Sequence, residues 1–274
     1  MSGKRATNFR QGDLAEAFGT VLIQGFALIA PVPRTEDVGL DVVATILHKR
    51  DSHTASPENS FYIQIKSKSL RYITYEKEEV KWLMDLELPL CIASVDVSSS
   101  RLDLFACHRL TQAFIEQIAH SRIEIHLDPI DERDAEPTTR KLYIGPPVYS
   151  WTVSEIAESS FLERSYQILK PHLETSKRNL ELRRSGRYEE LRWTTSEPPV
   201  LAHVTMMAGS PSGDDIRGLA NHAMPYLIAC LMESKGTGES ALGKYIEQVI
   251  DEMQRLGATQ DPLFLEVRKL GQCE

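Results

Sequence analysis

The sequence predicts an α/β fold, with a mixed sheet in the first half of the chain and a mainly helical second half. Three observations carry this. Apolar and polar residues alternate with a period of two over 38–47 and 60–67, residues 90–96 form a near-continuous apolar run, and segments of helical periodicity bracket them at 11–27 and 76–88. With 274 residues, 42% hydrophobic and 26% charged, the composition is that of a globular chain, large enough to bury a core without a disulfide scaffold.

Taken in order, residues 11–27 set Leu14, Phe18, Leu22 and Gly25 at helical spacing, and Pro31-Val32-Pro33 argues for a stop soon after. A weak strand signal covers 28–32. In 38–47, Val38, Leu40, Val42, Ala44 and Ile46 point one way and Asp41, Val43, Thr45 and Leu47 the other. A polar loop (48–60) leads to a strand over 60–67, with Phe61, Ile63 and Ile65 on one face and Tyr62, Gln64 and Lys66 on the other. The helix expected over 76–88 buries Val80 and Leu83 and stops before Pro89. Residues 90–96 have the pattern of a central strand covered on both sides, and 101–107, after a serine turn, that of its hairpin partner. Beyond residue 110 come a short helix, a strand at 122–127 and an acidic loop. Helices are expected over about 152–185, 214–234 and 239–256. Gly145-Pro146-Pro147 is the expected joint between domains at 1–147 and 148–274.

Composition also narrows function. The net charge of −8 gives no general attraction for nucleic acid, so any such contact needs a local basic patch. One run qualifies: between 164 and 192, eight basic residues face four acidic ones, and Lys177, Arg178, Arg183, Arg184 and Arg187 are its candidate backbone contacts. A solvated, salt-bridged helix gives the same pattern. No signal peptide is visible behind the polar N-terminus, and no apolar run is long enough to span a membrane. The four cysteines (Cys91, Cys107, Cys230, Cys273) lack zinc-finger spacing, and buried thiols in a reducing cytoplasm are expected. Gly238 to Lys244 matches GxxxxGK, but Tyr245 stands where Ser or Thr should meet Mg²⁺ and the preceding run is helical. A glycine-rich joint between helices accounts for it.

The residues with chemistry are Asp41, opening a buried strand after Gly39-Leu40, and Gln64 and Lys66, two apart on the next strand and so on one face. If the two strands pair, a carboxylate, an amide oxygen and the Ile65 carbonyl make an all-oxygen set. Such a set suits Mg²⁺ or Mn²⁺, with a lysine beside it to activate water or stabilise phosphate charge. Gln-x-Lys alone is equally the pattern of a solvated strand face.

This constellation resembles the PD-(D/E)XK restriction-endonuclease-like superfamily, in the prokaryotic branch where glutamine replaces the acidic residue of the E-x-K motif. The resemblance rests on Ala15-Glu16, Pro33-x-x-Glu36-Asp37-x-Gly39-Leu40-Asp41, Gln64-x-Lys66-Ser67 and the run from Leu88 to Asp96, and covers about 8–110. It implies an αβββαβ core and a Mg²⁺- or Mn²⁺-dependent endonuclease, acting on DNA more often than on RNA, in antiphage defence or restriction. It further implies Asp41 as metal carboxylate, Gln64 and the Ile65 carbonyl as neutral ligands, Lys66 as the group acting on water and Glu16 as auxiliary ligand or base. Glu16 is equally at home as a solvated carboxylate in a first helical turn. Targeting through oligomerisation or a partner bound to the C-terminal half is expected. The alternative is a nuclease fold without activity that binds nucleic acid or assembles with a partner.

Overall fold

A computed structural model describes residues 7–32, 39–51, 54–115, 121–127, 141–183, 186–193, 201–207, 213–238, 240–260 and 262–270. The chain is α/β with a mixed sheet. Its first elements are α1 (Thr7–Gln24), β1 (Ala27–Pro31), β2 (Val42–Lys49), β3 (Ala55–Ser67), β4 (Tyr72–Glu76), α2 (Glu78–Met84), β5 (Leu90–Asp96) and β6 (Arg101–Ala106). After α3 (Leu110–Ile115), β7 (Arg122–His126), β8 (Lys141–Tyr143) and β9 (Tyr149–Thr152) come α4 (Val153–Ile156) and α5 (Phe161–Leu182). The hairpin of β10 (Arg187–Trp193) and β11 (Leu201–Met207) precedes α6 (Gly213–Gly236), α7 (Ser240–Arg255) and α8 (Pro262–Leu270).

The main sheet runs β1-β2-β3-β5-β6-β9, antiparallel throughout except for the parallel β3–β5 pair. That single parallel contact needs a crossover, and the segment carrying β4 and α2 supplies it. Period-two alternation decides the layers. Val42, Ala44, Ile46, Phe61, Ile63 and Ile65 face α1 and α5 in one core, while Ile92, Phe105 and Leu90 join Tyr75, Val80 and Leu83 in a second core on the opposite face. β5 is buried on both sides, as its unbroken apolar run implies.

Of the expected Leu14–Phe18–Leu22 stripe on α1, Leu22 is buried and Phe18 packs against the first core, whereas Leu14 departs from it. Leu14 is exposed, and Ala15, Gly19, Leu22, Ile23 and Phe26 are inward. The small residues explain the rotation. A Cβ on Gly19 would stand 2.9 Å from side-chain carbons of both Ile65 and Val95, so the helix backbone lies directly on the sheet there.

The chain divides into two compact units, residues 1–183 with 187–208, and 184–186 with 209–274. The division is not at the Gly-Pro-Pro joint near 147. β9 extends the sheet beyond β6, Trp151 is buried against Phe26 with its Nε1 donating to the Leu22 carbonyl at 3.2 Å, and α5 covers the first core. The β10–β11 hairpin, unforeseen in a half expected to be helical, is tied to α5 through Asn179. Asn179 accepts from the Glu189 N–H (2.7 Å) and donates to its carbonyl (2.8 Å). In the second unit α6, α7 and α8 enclose their own core around Ile228, Leu231, Ile250 and Phe264. Gly238 takes φ +75° in the turn between α6 and α7, and Lys244 lies inside α7, so the GxxxxGK match is a joint between helices rather than a phosphate loop.

His108 and His172 are buried and linked, His108 Nε2 to His172 Nδ1 at 3.0 Å, with Ser176 Oγ on His108 Nδ1 at 2.9 Å. Burial lowers the pKa of His172 to about 4, so folding holds it neutral where the unfolded chain binds a proton. The stability this costs appears as pH falls below about 6.5 and is complete near the folded pKa, on the order of 3 kcal/mol. Denaturant midpoints at neutral pH and near pH 4.5 are expected to differ less in His172→Leu than in the wild type.

Candidate functional site

The site is built at the end of β2. Along β3, odd-numbered residues direct N–H and C=O toward β2 and even-numbered ones toward β5. Thus the Asp41 N–H donates to the Ile63 carbonyl (3.1 Å) and the Tyr62 N–H to Pro89 (2.8 Å). The β2 ladder begins at Val42, opposite Ile63. One step on, the Ile65 N–H therefore meets no strand backbone, and the Asp41 carboxylate accepts it, Oδ2 to N at 2.5 Å. The Ile65 carbonyl points to the same side, past the first residue of β2. Asp41 is further anchored by its own carbonyl, which accepts the Val32 N–H at 3.0 Å.

Gln64 and Lys66 flank Ile65 and turn to the opposite face from its side chain. Gln64 is 3% exposed, its Oε1 accepts the Tyr75 hydroxyl, and its Nε2 would lie 3.5 Å from a Cβ on Gly39. Gly39 has φ +79°, a conformation that costs glycine nothing and lets the chain turn tightly into β2. Tyr75 is buried, and desolvation raises its pKa above that of an ordinary phenol, so it stays a hydroxyl donor.

Beside these groups an open pocket of about 470 Å³ is lined by Gln64 and Lys66 from β3, Thr74 and Tyr75 from β4, and Glu79 and Trp82 from α2, with Glu78 at the start of the helix. Lys77, just before α2, has φ +49° and its N–H bonded to the Ser121 carbonyl at 2.9 Å, which pins the helix start.

The Asp41 carboxylate thus meets the backbone of Ile65 at one strand end, and the flanking Gln64 and Lys66 line the pocket, whose lining includes neither Asp41 nor Ile65. Glu16 belongs to the other layer: it sits on α1 one turn before Gly19, which packs on the Ile65 side chain, and it does not line the pocket. Glu36 and Asp37 lie outside the described residues. Of the basic run, Lys177 is exposed on α5. Arg178 is paired with Glu189 at 3.1 Å, which neutralises its charge, Arg183 ends α5 beside Asn179 and Leu180, and Arg187 opens β10. Arg184 lies outside the described residues.

As a place for a divalent cation the donors fit in kind. All are oxygens, and Gln64 Oε1 keeps a second lone pair beside the Tyr75 bond. They supply one formal charge, and among the described residues no group of three or more His, Cys, Asp or Glu is placed to hold a metal. Tyr75 and Trp82 were not singled out from sequence. A tryptophan off the Val80–Leu83 face of a short amphipathic helix is the signal that marks Trp82.

No protein-family model matches the chain, and no curated protein or solved structure matches it either. Among the described residues no helix is long and apolar enough to cross a membrane, and Cys91, Cys107 and Cys230 are free thiols.

Proposed function

We propose that the protein is a metal-dependent nuclease of the PD-(D/E)XK type acting on DNA, as the effector of a prokaryotic defence or restriction system in the cytoplasm. The observation that supports this reading is the Asp41 carboxylate hydrogen-bonded to the Ile65 N–H, between Gln64 and Lys66, which line the neighbouring pocket. The α1-β1-β2-β3-β4-α2-β5 succession, which has one strand more than the expected core but keeps β3 and β5 parallel, supports it as well.

In this reading Asp41, the Ile65 carbonyl and Gln64 Oε1 hold Mg²⁺ or Mn²⁺, whose part is to neutralise phosphate charge and acidify water. Lys66 holds the water or a phosphate oxygen in line with the scissile bond. Tyr75 fixes the Gln64 amide, and the Ile65 N–H fixes the rotamer of Asp41. The modest basic surface on α5 and β10 favours targeting by a second copy or a partner protein.

A second reading is favoured by the single formal charge of the donor set and by the Tyr75 bond on the Gln64 oxygen: a nuclease fold that binds nucleic acid or assembles with a partner without cleaving. Incubating plasmid and single-stranded DNA with the full chain and Mg²⁺ or Mn²⁺ separates the two. Cleavage lost on chelation supports the nuclease, and intact DNA with either ion supports the silent module.

A further inference from the structure

The pocket beside Lys66 is chemically lopsided. Gln64 and Lys66 line it from β3, and Trp82, half-buried on α2, lines it together with Glu78 and Glu79 of the same helix. Two acidic groups sharing a pocket with one lysine repel a continuous array of phosphates, so a duplex backbone gains nothing by running along it. Nor do these glutamates complete a metal cluster with Asp41 among the described residues. An aromatic face with carboxylate acceptors beside it has another use. A nucleobase stacks on the ring and donates its exocyclic amine to a carboxylate. The volume of about 470 Å³ is within the roughly 300–1,000 Å³ of small-ligand sites. Among the described residues Glu79 accepts the Glu76 N–H on its Oε2 at 2.8 Å, and a carboxylate has acceptor sites beyond that one bond.

We infer that this pocket takes one unpaired nucleotide, with the base stacked on Trp82, an exocyclic amine of cytosine or adenine on Glu78 or Glu79, and the adjoining phosphate toward Gln64 and Lys66. This rests on the nuclease reading and gives its substrate class: single-stranded DNA, or a strand with an extruded base. The Lys77 N–H bond to Ser121 at the start of α2 and the Tyr75–Gln64 bond between β4 and β3 fix the elements that line the pocket before a ligand arrives.

Binding without cleavage isolates the pocket from the chemistry. Short labelled oligodeoxynucleotides of cytosine and of thymine, single-stranded and as duplexes, are titrated with the full chain in chelator and followed by fluorescence anisotropy. The expected result is tighter binding of single strand than duplex and of cytosine than thymine. Trp82→Ala weakens it about ten-fold, Trp82→Phe retains most of it, and Glu78→Gln with Glu79→Gln removes the preference for cytosine. If Trp82→Ala fails to fold, Trp82→Phe and the glutamine variants decide alone. Equal binding of duplex and single strand, or a cytosine preference untouched by the glutamine variants, overturns the inference. Asp41-dependent cleavage accompanied by such indifference leaves the nuclease reading intact and discards the pocket. Trp82-dependent binding of single strands by a protein that never cleaves keeps the pocket and discards the nuclease.

Discussion

Asp41→Ala is expected to abolish metal-dependent cleavage, and Lys66→Ala to reduce it by roughly two to four orders of magnitude, the range for removing a group that moves a proton in the transition state. The two are unequal because their parts are. Asp41 carries the one formal charge of the oxygen set and also accepts the Ile65 N–H, so its loss removes the ion and loosens the strand end that presents Gln64 and Lys66. Lys66 is half-buried on the pocket wall and outside both apolar cores, so its truncation leaves the fold intact. Asp41→Asn sharpens the comparison. It keeps an acceptor for the Ile65 N–H but no charge, and is expected to match Asp41→Ala in activity while melting closer to the wild type. Cleavage that survives both Asp41→Ala and Lys66→Ala would remove these residues from the site.

The second large effect is structural. Trp151→Ala is expected to cost about 3–5 kcal/mol, the range for deleting a large buried aromatic. Trp151 is 1% exposed, sits edge-on to Phe26 at 5.2 Å between centroids and stacks near Tyr149 at 4.9 Å. It also donates to the Leu22 carbonyl, so the substitution empties a cavity and removes a buried bond between β9 and α1. Urea unfolding measures the loss. For the same reason a fragment ending at residue 147 is expected to be unfolded, because it lacks both β9 and the α5 face of the first core. A cooperatively folded 1–147 fragment would show that the joint at Gly145-Pro146-Pro147 is a true boundary.

The elements legible in the sequence were those whose burial is local and periodic. β2 and β3 alternate because one face meets α1, and β5 is apolar throughout because both faces are covered. Their pairing brings the Asp41 carboxylate to the Ile65 N–H, between Gln64 and Lys66. Sequence reading failed where a partner distant in the chain decides. Leu14 was placed inward because its spacing fits a stripe, but the contact was set by Gly19, whose missing side chain admits Ile65 and Val95. β9 is four residues long and owes its existence to the edge of β6, and β10 carries Arg187 and Arg192 that suggest a solvated helix. Tyr75 and Trp82 escaped because neither lies in the Asp…Gln-x-Lys pattern. The loop from Ser67 to Arg71 and the turn of β4 bring them to the pocket.

Titration of the metal-free protein with Mn²⁺, followed by the loss of free-ion paramagnetic resonance signal, reaches the account most directly, because it reads the site without substrate, partner or trigger. One ion per chain is predicted for the wild type, with binding lost in Asp41→Asn while Lys66→Ala retains it. A folded wild type that binds no ion, or an Asp41→Asn variant that binds as the wild type does, contradicts the account.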